Sequence, residues 1–279
     1  MTAATAKKPS AATGSEQPRA IFLHALRSEW TKLWTVRSTY WTLLAAVVVT
    51  VGYAALISGG VASSMDSMPE QARANMPSPL VFSLFGVQLG QLVLAVLGVL
   101  VISSEYRTGM IRSSLVAVPQ RMRFLFAKVL PFTFVTLVVS EIMAFGSFFA
   151  AQAFFATQGY AVSLSDEGVL RAVVGAGLFL TASGAFGLAI GALVRNVAGS
   201  IAIAVGALLV LPGILGFLPG DWGEAVNNYF ISNAGQEVMR LEGSMFGTAV
   251  GPWVGYGVFW AWIATIFAVG AFLLQRRDA

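Results

Sequence analysis

Apolar residues in this chain come in long unbroken runs instead of alternating with polar ones. Stretches free of charge extend from Ser38 to Met65, Ala74 to Ser104, Ala172 to Val194, Asn196 to Gly220 and Gly243 to Gln275, and a sixth, Val129 to Ser165, is broken only by Glu141. Crossing a hydrocarbon core of about 30 Å takes roughly 20 helical residues, and every run reaches that length. A membrane β-barrel would instead show segments of about ten residues with period-two alternation. The pattern predicts an all-α integral membrane protein with six transmembrane helices, each shorter than the charge-free limits that enclose it.

The polar connectors orient this bundle. With both termini cytoplasmic, that side holds every lysine and arginine except Arg73, Arg171 and Arg240. Those three share the outer side with eight acids: Asp66, Glu70, Asp166, Glu167, Asp221, Glu224, Glu237 and Glu242. The positive-inside rule therefore predicts both ends in the cytoplasm. Composition agrees with the class: 57% of residues are hydrophobic and 11% charged, outside the soluble globular range. The net charge of +4 needs no nucleic-acid partner, since topology accounts for it. There is no cysteine for disulfide or thiol chemistry, and a single histidine, His24, is a poor basis for a metal site.

Outside the membrane domain (38–275), residues 1–20 lack an apolar core and read as a disordered cytoplasmic tail, with 276–279 as a second tail. Residues 21–37 predict an amphipathic helix on the inner membrane surface. Phe22, Leu26, Trp30, Leu33 and Trp34 recur at three-to-four spacing, with His24, Arg27, Ser28, Thr31, Lys32 and Thr35 filling the other side. Such a helix serves either as a juxtamembrane anchor or as a docking element for a cytoplasmic partner.

The cytoplasmic segment 104–128 carries the sharpest pattern. Gly109 permits a break after the second span and Pro119 limits any helix begun near Met110. Between them Ile111, Leu115 and Val118 share a face, with Arg112 and Ser113 off it. A short helix with an apolar knob and flanking charges fits a groove on another protein; a basic loop that only sets topology is the alternative. On the outer side, segment 219–251 follows Leu211-Pro212-Gly213 and Leu218-Pro219-Gly220, which interrupt the end of span five. It reads as a re-entrant pair or as an ordinary external loop. Glu141 lies mid-span, where an ionised acid costs on the order of 3 kcal/mol, so it should face protein or water. It is a candidate for the substrate path, or for internal packing. Gly86-x-x-x-Gly90 and Gly187-x-x-x-Gly191 allow close helix approach, though 29 glycines make chance matches expected.

Two of these segments resemble a known family. Glu105-Tyr106-Arg107-Thr108-Gly109, then Ile111-Arg112 and Pro119, is similar to the connector of bacterial ABC type-2 transporter permeases. Leu26-Arg27-Ser28-Glu29-Trp30-Thr31-Lys32-Leu33, ending Val36-Arg37-Ser38-Thr39-Tyr40-Trp41, resembles the start of the actinobacterial branch, and the six-span layout extends the similarity from about residue 20 to the end. The resemblance implies a permease subunit of an exporter in the bacterial cell membrane, paired with a second copy or a close paralogue. It implies an ABC ATPase subunit docking on Glu105, Arg107, Gly109, Ile111, Arg112 and Leu115, and short helices that dip into the outer leaflet after span five. It also implies that ATP and magnesium bind the partner ATPase, with no cofactor in this chain.

The sequence agrees in lacking an engine. No G-x-x-x-x-G-K-[ST] loop occurs, and no cluster suggests a catalytic centre, so the chain is not expected to be an enzyme. The rival from another class is an ATP-independent membrane anchor or immunity-type protein that binds a partner without transport. The cargo is not encoded in any readable motif.

Overall fold

The structure, a computed structural model, describes residues 18–110, 121–241 and 250–276, and all regular structure among them is helical, with no strand. Six helical stretches are long and apolar enough to cross a membrane: Arg37–Ser67, Pro79–Thr108, Met122–Thr157, Val169–Val194, Val197–Leu215 and Pro252–Leu273. This is the architecture of a multi-pass membrane protein. The segments 1–17, 111–120, 242–249 and 277–279 lie outside the described residues, and with them most of the predicted tails and the helix predicted after Gly109.

In chain order the helices are α1 (Pro18–Thr35), α2 (Arg37–Ser64), α3 (Glu70–Ala74), α4 (Pro79–Ser83) and α5 (Val87–Thr108). They continue with α6 (Arg121–Thr157), α7 (Val169–Val194), α8 (Val197–Val205), α9 (Leu211–Leu215), α10 (Gly220–Tyr229), α11 (Ile231–Gln236) and α12 (Pro252–Arg276). The bundle is built around α7: 89% of the residues in an apolar 18-residue stretch of it are buried, against 17–22% in the matching stretches of α2, α8–α9 and α12. Helices α5, α6 and α12 pack directly on α7, while α1 and α2 pack on α6.

Glycine explains why α7 can sit so deep. In lipid, helices gain little from hiding apolar surface and associate through close packing of small residues. A Cβ at Gly187 would overlap the carbonyl oxygen of Ala95 on α5, and one at Gly98 of α5 would overlap that of Gly184 on α7. Gly86 meets α2 in the same way at the Thr50 carbonyl. Both G-x-x-x-G pairs thus lie at helix crossings, with Gly90 against Thr50 and Gly191 against Ile102.

Two boundaries differ from those drawn by charge. The third membrane-length stretch begins at Met122, well before Val129, because Lys128 is 3% exposed and paired inside the protein. A neutralised cation does not mark a helix end. The fifth stretch is not interrupted at Leu211-Pro212-Gly213: it passes through a π-helical turn, Gly206–Val210, into α9. Proline has no N–H to give the carbonyl four residues back. That carbonyl, of Leu208, accepts the Ser232 hydroxyl of α11 at 3.1 Å, so the wider turn leaves it satisfied.

Candidate functional site

Four charged side chains from three helices close a ring at the end of the bundle where α1 lies. Glu29 and Lys32 come from α1, one turn apart on the face turned to the protein; Glu105 comes from the last turns of α5, and Lys128 from early α6. Lys32 Nζ donates to Glu29 Oε1 at 2.6 Å and to Glu105 Oε1 at 3.1 Å. Lys128 Nζ donates to Glu29 Oε2 at 2.7 Å and to Glu105 Oε1 at 2.8 Å. The two carboxylates are buried, and Lys128 also lies 5.7 Å from the centre of the Phe124 ring.

Burial and pairing oppose each other here. Desolvation alone would push the Glu29 carboxyl up, but Lys128 and then Lys32 more than offset it, and the group ends below its ordinary value. For Lys32, burial pulls down while Glu29 and Glu105 push up, and the net is above the ordinary value. Both groups therefore stay charged at neutral pH. The ring is a mechanical tie: α5 and α6 flank the 111–120 connector, and the ring fastens both to α1.

The residues singled out from sequence fall into three groups. On α1, Phe22, Leu26 and Leu33 are half-buried, Phe22 and Leu33 packing on the core, whereas Trp30 and Trp34 are exposed, their rings 6.1 Å apart and Trp30 5.9 Å from Phe134 of α6. The inner face of α1 therefore carries Glu29 and Lys32, and the two indoles point outward. On the connector, Glu105 is turned inward into the ring. Arg107 is exposed at the end of α5, and Gly109 ends that helix in the left-handed region with φ 72°. Ile111, Arg112 and Leu115 lie outside the described residues.

Mid-span, Glu141 of α6 is half-buried, and its carboxyl lies against the bare backbone of Gly177 on α7. Its Oε2 is buried without a hydrogen-bond partner. The absence of a side chain at Gly177 is what leaves room for the carboxyl; a Cβ there would lie 2.5 Å from Oε1 and closer still to Cδ.

The opposite end holds a second polar system. Gln91 donates to Gln88 at 2.7 Å, Gln88 to Gln236 at 3.0 Å, and Gln236 to the Ser232 hydroxyl at 3.0 Å, which in turn donates to the Leu208 carbonyl. This chain of donors joins α5, α11 and the turn between α8 and α9. Arg171 of α7 donates to the carbonyls of Val238 and Arg240 and holds the residues after α11 in place.

Sequence reasoning did not find Glu29, Lys128 or the glutamines as a site. For Glu29 the signal was present: it continues the face of Phe22 and Leu26 toward Leu33, an acid where an apolar residue is expected. Lys128 is the cation nearest an apolar run, which reads equally well as a topology charge. Among the described residues no group of His, Asp or Glu side chains could hold a metal ion. No protein-family model matches the chain, and no curated protein matches it.

Proposed function

We propose that this chain is the permease subunit of a bacterial ABC exporter, working as a pair in the cell membrane and driven by a separately encoded ATPase that docks on the 104–128 connector. Both termini then lie in the cytoplasm, which agrees with the distribution of lysine and arginine. The observation that carries the proposal is the ion ring. A subunit driven from outside needs the driven element joined rigidly to the helices that must move. Glu105 and Lys128 stand on the two helices that leave and re-enter the bundle around the connector, and Glu29 with Lys32 adds α1 to the same unit. A push on the connector reaches α5, α6 and α1 together.

In this reading α10, α11 and the residues to Arg240 form the re-entrant pair of the outer leaflet. Backbone at membrane depth must be satisfied inside protein, and the buried α11, whose Gln236 donates to Ser232 and whose Ser232 donates to the Leu208 carbonyl, is consistent with that requirement.

The test is purification of a tagged full-length protein from its native membrane in mild detergent, followed by mass spectrometry of what accompanies it. The proposal expects a stoichiometric soluble protein with a G-x-x-x-x-G-K-[ST] loop, lost on reversing Arg107 and Arg112 together to glutamate. An ATPase-free homo-oligomer that persists under crosslinking would replace it with the membrane-anchor reading.

A further inference from the structure

A cavity of about 360 Å³ opens beside the ion ring, walled by α1, the first turns of α2 and the last turns of α5. That volume is within the range of ligand pockets, roughly 300–1,000 Å³. Its wall changes character along α5. At one end stand Glu105, Arg107 and Thr108; at the other, Leu97, Leu100 and Val101. From Glu105 to Leu97 is about 12 Å at the helical rise of 1.5 Å per residue. This polar-to-apolar gradient runs from the level of α1 into the membrane-length part of the bundle. A lipid molecule has the same gradient.

Charge narrows the ligand further. Lys32, Lys128 and Arg107 set three cations on the wall against two carboxylates, Glu29 and Glu105, which leaves it net positive. Each ammonium carries three N–H donors, and the ring uses two on each lysine. Arg107 forms no ion pair among the described residues. Donors are therefore left over for an anion. An acceptor is left over too: Glu105 is 6% exposed, its Oε1 takes both lysines, and its Oε2 has no hydrogen-bond partner. A buried carboxylate oxygen left unpaired is costly, and a bound hydroxyl would satisfy it.

We infer that this cavity binds an anionic phospholipid whose headgroup carries a hydroxyl, of the phosphatidylglycerol kind. The phosphodiester meets Lys32 and Arg107, a headgroup hydroxyl donates to Glu105 Oε2, and an acyl chain lies over Leu97, Leu100 and Val101. Basic pockets between membrane helices near the interface are where anionic headgroups bind. The inference needs only a bilayer around the six helices and is independent of whether an ATPase drives the chain.

The experiment is native mass spectrometry of the full-length protein in detergent, with phosphatidylglycerol, phosphatidylcholine and phosphatidic acid of identical acyl chains added in turn. Expected is one phosphatidylglycerol retained per chain, with phosphatidylcholine held roughly tenfold less well, a gap of about 1.4 kcal/mol. Phosphatidic acid, which has the charge without the headgroup hydroxyl, should fall between. Arg107→Ala removes an exposed cation, and Leu100→Trp fills the apolar half without touching the ring; each should weaken phosphatidylglycerol retention roughly tenfold. Equal retention of phosphatidylglycerol and phosphatidylcholine overturns the site, as does unchanged retention in both variants. Phosphatidic acid bound as well as phosphatidylglycerol overturns the role given to Glu105 Oε2.

Discussion

Lys128 Nζ lies 2.7 Å from Glu29 Oε2 although the two residues are 99 positions apart in the chain, and both are buried. This contact holds α1 against α6. A buried pair adds little net stability over an apolar replacement of the same shape, but removal of one partner strands a charge, at about 3–5 kcal/mol. Lys128→Met should therefore lower the unfolding midpoint sharply, because Glu29 and Glu105 would then share Lys32 alone. Lys128→Met with Glu105→Gln leaves the Glu29–Lys32 pair balanced and should be more stable than Lys128→Met by itself. Thermal unfolding of the unmodified protein, Lys128→Met, Glu105→Gln and the double variant decides the matter; a double variant as weak as the sum of its parts would mean the ring does not act as a unit.

The ring also fixes how stability responds to pH. The Glu29 carboxyl sits below its ordinary value of 4.5 in the folded protein, so its contribution is present above pH 4.5 and is lost as pH falls through the lowered value. Lys32 sits above its ordinary 10.5, so its contribution is present below pH 10.5 and is lost as pH rises through the raised value. Between those limits the contributions of Glu29 and Lys32 are constant, and each falls away on its own side. In Glu29→Gln the acid-side drop should shrink. An acid-side drop as steep in Glu29→Gln as in the unmodified protein would contradict this assignment.

Glycine packing gives a contrast within one residue type. At Gly187 a Cβ would strike the Ala95 carbonyl, which is backbone and can yield only if two helices separate. At Gly60 of α2 a Cβ would meet nothing within 4 Å. Gly187→Ala should reduce the yield of folded protein and cost more than about 3 kcal/mol, in the range of severe core overpacking. Gly60→Ala should be neutral or stabilising by up to about 1 kcal/mol, the helix preference of alanine over glycine. Size-exclusion profiles and unfolding midpoints in detergent read both.

Ser232 and Pro212 make a pair of the opposite kind, each accounting for the other. Pro212 leaves the Leu208 carbonyl without its usual partner, and the Ser232 hydroxyl takes it. Ser232→Ala should cost about 1–3 kcal/mol by stranding a buried acceptor. When Pro212→Ala is added, the chain regains an N–H near that carbonyl, and the loss should be smaller than in Ser232→Ala alone. Equal losses in the two proteins would show that the carbonyl is not what the serine serves.

How much of this was legible in the sequence follows from the range of the forces involved. The six stretches were readable because hydrocarbon thickness acts on each segment by itself, and every run from Ser38 onward met it. Gly109 was readable for the same reason, since a left-handed helix end is a local requirement. The ring was not readable as a ring. Glu29, Glu105 and Lys128 acquire their meaning only when α1, α5 and α6 are side by side, and each alone passes for a surface charge. Trp30 and Trp34 share the apolar spacing of Leu33 but are exposed while Leu33 packs on the core, since hydropathy alone does not separate a side turned to protein from one turned outward. The connector residues Ile111, Arg112 and Leu115 stand as a sequence reading alone.

Glu141 and Gly177 offer the most direct way to learn what the mid-span acid does for the fold. The carboxyl rests where a side chain of α7 would otherwise be, and an added methyl at Gly177 would have to displace it. The displaced group is the end of a flexible chain, so Gly177→Ala should cost on the order of 1–3 kcal/mol, as moderate overpacking does. In a Glu141→Ala background the obstruction is gone, and Gly177→Ala should become neutral or slightly stabilising, since alanine favours a helix by about 0.5–1 kcal/mol over glycine. The cycle is read from four unfolding midpoints, and a coupling well above the roughly 0.5 kcal/mol scatter of independent sites is expected. Additive effects would mean that the carboxyl does not occupy the Gly177 notch in the folded protein, and Glu141 would then have to be explained by some other contact. With coupling established, Glu141→Gln separates packing from chemistry, because it keeps the shape and removes the charge; under the proposed export reading, a change in transport without a change in midpoint is the outcome expected of a residue on the translocation path.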